Sequence, residues 1–247
     1  MMIREYGIIG YPLSHSFSQK YFTEKFEREA ITDAIFHAFP IPSIEDLPQL
    51  LKEHTLLKGF AVTIPYKRSV IKYIDEASTA VQEINACNCI KITEGSMYGH
   101  NTDIIGFKES FIKHLKPHHT KALILGTGGA SSAVEYVFKK LHIDYLFVSR
   151  EKDVTRNIAG YSDVNETLLN NYKIIINATP LGTYPDINDA PNIPYHLLTP
   201  QHYLFDLVYN PPKTKFLALG EQQGATIKNG YEMLALQAEE NWKIWNG

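Results

Sequence analysis

The chain is poor in cysteine, with Cys87 and Cys89 its only two, one residue apart. That excludes a disulfide-built scaffold. A Cys-x-Cys pair without a second Cys or His pair at ligand spacing does not make a metal site either, so no metal is expected. The surrounding pattern reads as a strand, which would send both thiols to one face of a core and keep them reduced. No apolar run approaches bilayer-spanning length, and Met1-Met2-Ile3-Arg4-Glu5-Tyr6 lacks a signal-peptide pattern. The expectation is a cytoplasmic protein with no membrane partner, monomeric or homodimeric. Neither sign of charge dominates: 24 Lys and Arg against 27 Asp and Glu leave a net charge of -3, which gives no bulk attraction to nucleic acid. No internal repeat, low-complexity tract or block of like charge interrupts the sequence.

What the chain does have is alternation. Short apolar segments at Tyr6 to Gly10, Ala34 to Phe39 and Phe60 to Ile64 alternate with helical patterns at Phe17 to Glu29 and Ser43 to Glu53, which argues for a largely parallel sheet. A short helix near Ala77 to Glu83 is followed by a hairpin, Cys87 to Ile92 and Met97 to Gly99, turning at Glu94-Gly95-Ser96. A second alternation begins at Lys121 and includes Ile174-Ile175-Ile176 and Tyr203-Leu204-Phe205. A helix from about Ile104 to Leu115 joins the two. The reading is α/β: an N-terminal α/β substrate domain (1–103) and a Rossmann-type dinucleotide-binding domain (104–229), with a cleft between them. The segment 230–247 carries Met233, Leu234, Leu236, Trp242 and Trp245 at helical spacing and is expected to pack back on the first domain, with both tryptophans in a core.

The strongest local signal lies mid-chain. The apolar run Ala122-Leu123-Ile124-Leu125 stops at Gly126-Thr127-Gly128-Gly129-Ala130 and passes into the helix-like Ser131 to Leu141. Glycines let a backbone turn tightly and approach a ligand, and a helix start offers free N–H groups and positive potential to phosphate. A dinucleotide is the expected guest. An acidic residue roughly 20 residues past the glycines would mark a bound ribose 2′-hydroxyl, but here Ser149-Arg150 follows the next strand. A guanidinium suits a 2′-phosphate, so the expected cofactor is NADP rather than NAD. The alternative for Arg150 is a solvated residue at a strand end.

Four polar clusters fall at the ends of the N-terminal elements, where α/β folds hold ligands. They are His15-Ser16-Phe17-Ser18, Thr63-Ile64-Pro65-Tyr66-Lys67, Asn88, and Asn101-Thr102-Asp103. Hydroxyls, an amide, one amine and one carboxylate suit a small polyhydroxylated molecule, with Lys67 and Asp103 able to exchange a proton. Each has a plain structural reading beside it. Lys67 could be a solvated amine, Asp103 the N-cap of the following helix, Ser16 or Ser18 the cap of the first helix, and His15 a structural residue.

Taken together these segments resemble the shikimate dehydrogenase family from end to end. The segment Gly10-Tyr11-Pro12-x-x-His15-Ser16-x-Ser18 is similar to its first substrate loop, Val62-Thr63-Ile64-Pro65-Tyr66-Lys67 to its catalytic-lysine motif, and Tyr98-Gly99-His100-Asn101-Thr102-Asp103 to its catalytic-aspartate motif. The glycine turn, Asn177-Ala178-Thr179-Pro180-Leu181-Gly182, Asp206-Leu207-Val208-Tyr209-Asn210-Pro211 and Gly230-Tyr231-x-Met233-Leu234-x-x-Gln237-Ala238 follow in the family's order. The resemblance implies reversible NADP-linked oxidation of shikimate to 3-dehydroshikimate in aromatic amino-acid synthesis. It implies that Ser16, Ser18 and Tyr209 hold the substrate carboxylate, that Thr63, Asn88 and Gln237 hold hydroxyls, and that Lys67 and Asp103 stand beside the reacting oxygen. On the cofactor side it implies Gly126, Thr127, Gly128, Gly129, Ala130, Ser149, Arg150, Thr179, Val208, Gly230 and Met233, the last near the nicotinamide. Read without the resemblance, Gln237 could equally lie on an exposed helix face.

The chain departs from the family pattern at four places. Ala61 stands where the pattern has Asn, Gln19 where Pro is usual, and Cys89 where Thr follows the asparagine; Glu151 follows Arg150 in place of a phosphate-clamping Thr. The lost amide at Ala61 would leave a substrate hydroxyl water-bridged or bonded to a substitute. It also keeps open a paralogous quinate or aminoshikimate dehydrogenase. Two other readings are a non-catalytic NADP-binding regulatory module, against which Lys67 and Asp103 count, and a methyltransferase, against which Arg150 counts.

Overall fold

The computed structural model describes residues 3–13 and 17–247, and the chain divides into two compact units: residues up to Ile105 together with Gln237–Gly247, and Gly106–Leu236. In the first unit β1 (Arg4–Gly10) lies between β2 (Ala34–Pro40) and β3 (Leu57–Val62), parallel to both. Tyr6 to Gly10 are all buried, as a strand covered on both faces must be. Parallel neighbours need a crossover. Helix α1 (Phe17–Arg28) supplies one, and α2 (Leu47–Glu53), entered through a 3₁₀ turn that Ser43 and Asp46 cap, supplies the other.

After β4 (Glu76–Ala77) and α3 (Thr79–Ile84), the hairpin β5 (Cys89–Thr93) and β6 (Ser96–His100) extends the sheet antiparallel, in the order β2-β1-β3-β5-β6-β4. Glu94 and Gly95 both take positive φ, 53° and 85°, the turn geometry whose twist matches paired strands. The sheet is therefore mixed, parallel only where helices cross over and at the short β4 edge.

The cysteines differ from the expectation. Strand β5 begins only at Cys89, so the in-out alternation does not extend back to Cys87. Cys87 packs with Phe60, Val70 and Ile90, while Cys89 joins Tyr6, Ala61 and Trp245 in a separate cluster. The cause is the backbone before β5, where Cys87 N–H donates to Lys67 O at 2.7 Å and fastens the chain to the lysine turn. Both thiols are free, and burial pushes Cys87 up to about 12 and Cys89 well above the usual thiol range. They are inert packing groups.

Helix α4 (Asp103–Phe111) carries the chain into the second unit, ending in a 3₁₀ turn at Ile112–His114 where a single helix to Leu115 was expected. Six strands then form a sheet in the order β12-β11-β10-β7-β8-β9, every pair parallel: β7 (Lys121–Leu125), β8 (Asp144–Ser149), β9 (Ile158–Gly160), β10 (Ile174–Asn177), β11 (Tyr203–Asp206) and β12 (Thr226–Lys228). This is the doubly wound order, in which the sequence of strands reverses between β7 and β10, where such sheets bind dinucleotides. Helices α5 (Gly129–Leu141), α6 (Glu166–Asn171) and α7 (Lys215–Gln222) connect the strands. The last helix, α8 (Tyr231–Asn246), starts in the second unit and ends in the first. There Trp245 lies over Gly59, where an added Cβ would come within 2.3 Å of the indole, and its Nε1 donates to Ile90 O at 2.9 Å. No helix among the described residues is long and apolar enough to cross a membrane.

Asp206, fully buried at the end of β11, gives the second unit a pH dependence. Burial raises its carboxyl from 3.8 to about 7, against the pull of hydrogen bonds from Thr214, Val208 N–H and Asn177. A folded-state value above the unfolded one means the native chain holds a proton that the unfolded chain has released. This stabilisation is complete below about pH 4 and is lost as pH rises towards about 7. The difference in melting temperature between wild type and Asp206→Asn should therefore change across that window and level off on either side; a difference independent of pH would contradict the raised value.

Candidate active site

The polar residues of the first unit converge through the backbone that follows β3. Thr63 N–H donates to Ile9 O at 3.0 Å and Tyr66 N–H to Thr63 O at 2.9 Å, so the chain leaves the sheet after Val62, earlier than the sequence pattern indicates. The buried Tyr66 hydroxyl donates to Ile41 O at 2.6 Å, and Lys67 O accepts from Cys87. With its turn held at Tyr66 and at its own carbonyl, Lys67 directs its Nζ to Asp103 Oδ2 at 2.6 Å. Asp103 opens α4, but its side-chain oxygens bond Lys67 and Asn88, whose Nδ2 donates to Oδ1 at 2.9 Å. The recorded bonds of its carboxylate thus run to the polar cluster and none to a helix N–H.

Asn88 is the hub. Its Oδ1 accepts from Thr102 N–H at 2.6 Å, and its Nδ2 also reaches Thr102 Oγ1 at 3.0 Å and Gln237 Oε1 at 3.3 Å. Gln237 is buried on α8, which removes the exposed-face alternative. Thr102 and the fully buried Asn241 complete the cluster, Thr102 Oγ1 donating to Asn241 Oδ1 at 2.6 Å. Sequence reasoning missed the role of both. The usable signal was Asn241 one helical turn after Gln237 on an otherwise apolar face. Thr63 lies beside Gly10, where an added Cβ would come within 2.4 Å of Thr63 Cγ2, and Ser18 is buried in the first turn of α1. Ser16 and His15 lie outside the described residues.

The second unit carries the cofactor candidates. Gly126, at φ +100°, turns the chain out of β7, and a Cβ there would press within 2.9 Å of Thr179 Cγ2. At Gly128 and Gly129 an added Cβ would meet nothing within 4 Å, so the start of α5 opens onto free space. The Gly128 cap has no side-chain bond, which leaves the first N–H groups of a 13-residue helix for an anion. A cavity of about 360 Å³ there is lined by Gly126, Thr127, Gly128, Ser149, Arg150, Tyr161 and Ala178 to Leu181. A larger hollow of about 500 Å³ near His142 and Tyr172 lies off this strand end and has no comparable donor set.

Thr179 is fixed by its hydroxyl's 2.6 Å bond to Asn177 Oδ1. Arg150 is exposed at the cavity rim, Glu151 is exposed beside it, and burial raises the phenol of the neighbouring Tyr161. Tyr161, Ala178, Pro180 and Leu181 were not among the expected site residues. Gly129 and Ala130 lie in the first turn of α5. Val208, Gly230 and Met233 do not line this cavity: Gly230 N–H donates to Val208 O at 3.1 Å, a Cβ on Gly230 would come within 2.3 Å of Leu207 O, and Met233 is buried in α8. Tyr209 is half-buried in this second unit, its phenol raised by burial.

Known proteins resemble this chain along nearly its whole length. The model of the shikimate dehydrogenase substrate-binding domain matches residues 8–90. Shikimate dehydrogenase (NADP(+)) of Clostridium beijerinckii is 34% identical over 252 residues, covering 96% of this chain and 91% of that protein. The solved chorismate mutase/shikimate 5-dehydrogenase fusion protein of Clostridium acetobutylicum aligns with a TM-score of 0.88 and 31% identity, covering 100% of this chain and 92% of that one. Shikimate 5-dehydrogenase of Thermus thermophilus, solved in complex with NADP(H) and shikimate, aligns with a TM-score of 0.86 and 28% identity, over 99% of this chain and 94% of that one. With this identity over nearly its whole length, the chain belongs to the shikimate dehydrogenase family.

Proposed function

We propose that this protein is an NADP-dependent shikimate dehydrogenase, an oxidoreductase that interconverts shikimate and 3-dehydroshikimate in the biosynthesis of chorismate and the aromatic amino acids. The observation that carries the reading is the Lys67–Asp103 pair at 2.6 Å, braced by Asn88 within a buried polar cluster. Such a pair delivers one proton to an oxygen. The open helix start at Gly128 and the guanidinium of Arg150 fit a phosphorylated dinucleotide. NADPH, when bound, supplies the hydride.

The protein's own work is to hold substrate and manage the proton. In the reductive direction Lys67 gives a proton to the substrate's C3 carbonyl oxygen, its charge stabilising the developing alkoxide. Asp103 holds the ammonium in place. In oxidation Lys67 takes the hydroxyl proton back. Ser16 and Ser18 bind the carboxylate, and Thr63, Asn88 and Gln237 the ring hydroxyls. Incubation of shikimate with NADP should yield NADPH and 3-dehydroshikimate in equal amounts; formation of NADPH without that product would overturn the assignment.

The Ala61 environment refines one expectation. Ala61 is buried, pairs with Ile8 and Cys89 across the sheet, and packs among Tyr6, Ala238 and Trp245. Restoring the family's asparagine there puts an amide into an apolar cluster at a cost of about 1–3 kcal/mol if it finds no partner. Ala61→Asn should lower the melting temperature and leave shikimate binding unchanged or weaker. Tighter binding by titration, at unaltered stability, would mean that the amide is simply missing.

A further inference from the structure

Five side chains form one directed chain of hydrogen bonds through the first unit, and the direction of each link follows from chemistry. Asp103 is an acceptor and the Thr102 N–H a donor. Together they fix the Asn88 amide with Nδ2 towards Asp103 Oδ1 and Oδ1 towards the Thr102 backbone. The second Asn88 amide proton points to Thr102 Oγ1 at 3.0 Å. The Thr102 hydroxyl has one proton and three acceptors in range: Asn241 Oδ1 at 2.6 Å, Asn88 Oδ1 at 3.2 Å and Gln237 Oε1 at 3.5 Å. The shortest has the length of an O–H···O bond and takes the proton. That turns Asn241 Nδ2 towards Gln237 Oε1, at 3.5 Å. Gln237 Oε1 then accepts from Asn241, with Asn88 Nδ2, whose two protons go to Asp103 and Thr102, standing 3.3 Å away.

We infer that Asn241 is a positioning residue that sets the polarity of Gln237. Through Thr102 and Asn241 the orientation imposed by Asp103 is passed to Gln237, whose oxygen is held inward and whose Nε2, without a partner among the described residues, is the end offered to a ligand. The pocket therefore presents a donor at this point and selects a ligand with an acceptor oxygen there. The inference rests on the shikimate reading for the identity of that ligand. The relay itself is a property of the ligand-free chain. Asn241 is fully buried, so its carboxamide acts only through its neighbours.

The test is a double-mutant cycle on the full chain. Asn241→Leu, close in volume, should raise the KM for shikimate by about three- to tenfold, the weight of one hydrogen bond, with kcat within about twofold and the KM for NADP unchanged. Thr102→Val, which removes only the hydroxyl, should do the same, and either change should add nothing to the loss caused by Gln237→Leu. Additive losses, or equal losses in kcat and in NADP affinity, would overturn the inference. The side-chain amide NMR signals of Asn88 and Gln237 read the relay without any ligand: in Asn241→Leu the Gln237 signal should move while that of Asn88, held by Asp103, keeps its protection from exchange. A Gln237 signal that does not move overturns the relay, whatever the substrate. Absence of shikimate turnover by the wild type, with the NMR response intact, would overturn only the substrate reading.

Discussion

Replacing Lys67 with alanine should lower turnover by roughly 10²–10⁴, the range for loss of a positioned general acid or base. The KM for substrate should change far less, because the carboxylate and hydroxyl ligands remain. The expectation follows from the 2.6 Å contact with Asp103, with the lysine side chain 22% exposed and the aspartate 11%. An exposed ion pair would contribute little, but here the backbone turn that carries Lys67 is held by the Tyr66 hydroxyl on Ile41 O and the Cys87 N–H on Lys67 O. Steady-state kinetics on a variant with the wild-type circular dichroism spectrum decides the point. Near-normal kcat would remove Lys67 from the mechanism.

Arg150→Ala should weaken NADP binding by about 1.5–3 kcal/mol, ten- to hundredfold, and leave NAD nearly unchanged. Arg150 lines the same cavity as Gly126 and Gly128 because β7 and β8 pair in register, Leu125 opposite Val148, and both chains leave the sheet at that edge. Its guanidinium is therefore available to a 2′-phosphate and irrelevant to a 2′-hydroxyl. Glu151 is exposed and free to point away from the added charge. Equal losses for the two cofactors in a titration would show that Arg150 does not read the phosphate.

The doubly wound half was legible because its signals are local. The apolar run of β7 ends at a glycine turn, and Gly126 there needs a φ of +100° that other residues adopt only under strain. The hairpin at Glu94-Gly95 was legible for the same reason. The Cys87 side-chain direction was not, since it depends on a bond to Lys67 O that no periodicity carries. The Lys67–Asp103 pair was read from the polar clusters at the ends of the N-terminal elements, and its role beside the reacting oxygen from motif resemblance. Asn241, and the bond that ties it to Thr102 of the Asn101-Thr102-Asp103 cluster, escaped notice because that bond joins positions 139 residues apart. Tyr161 escaped because the chain between β8 and β9 is shaped by Asp153 capping the turn at Val154–Arg156, and only that path brings the phenol to the cavity.

The most direct test of the account is the absorbance of reduced nicotinamide when shikimate and quinate are each crossed against NADP and NAD. The reading as an NADP-dependent shikimate dehydrogenase predicts the highest kcat/KM for shikimate with NADP, with NAD and quinate each well below it. Turnover of quinate equal to or above that of shikimate, or no loss on exchanging NADP for NAD, would contradict it.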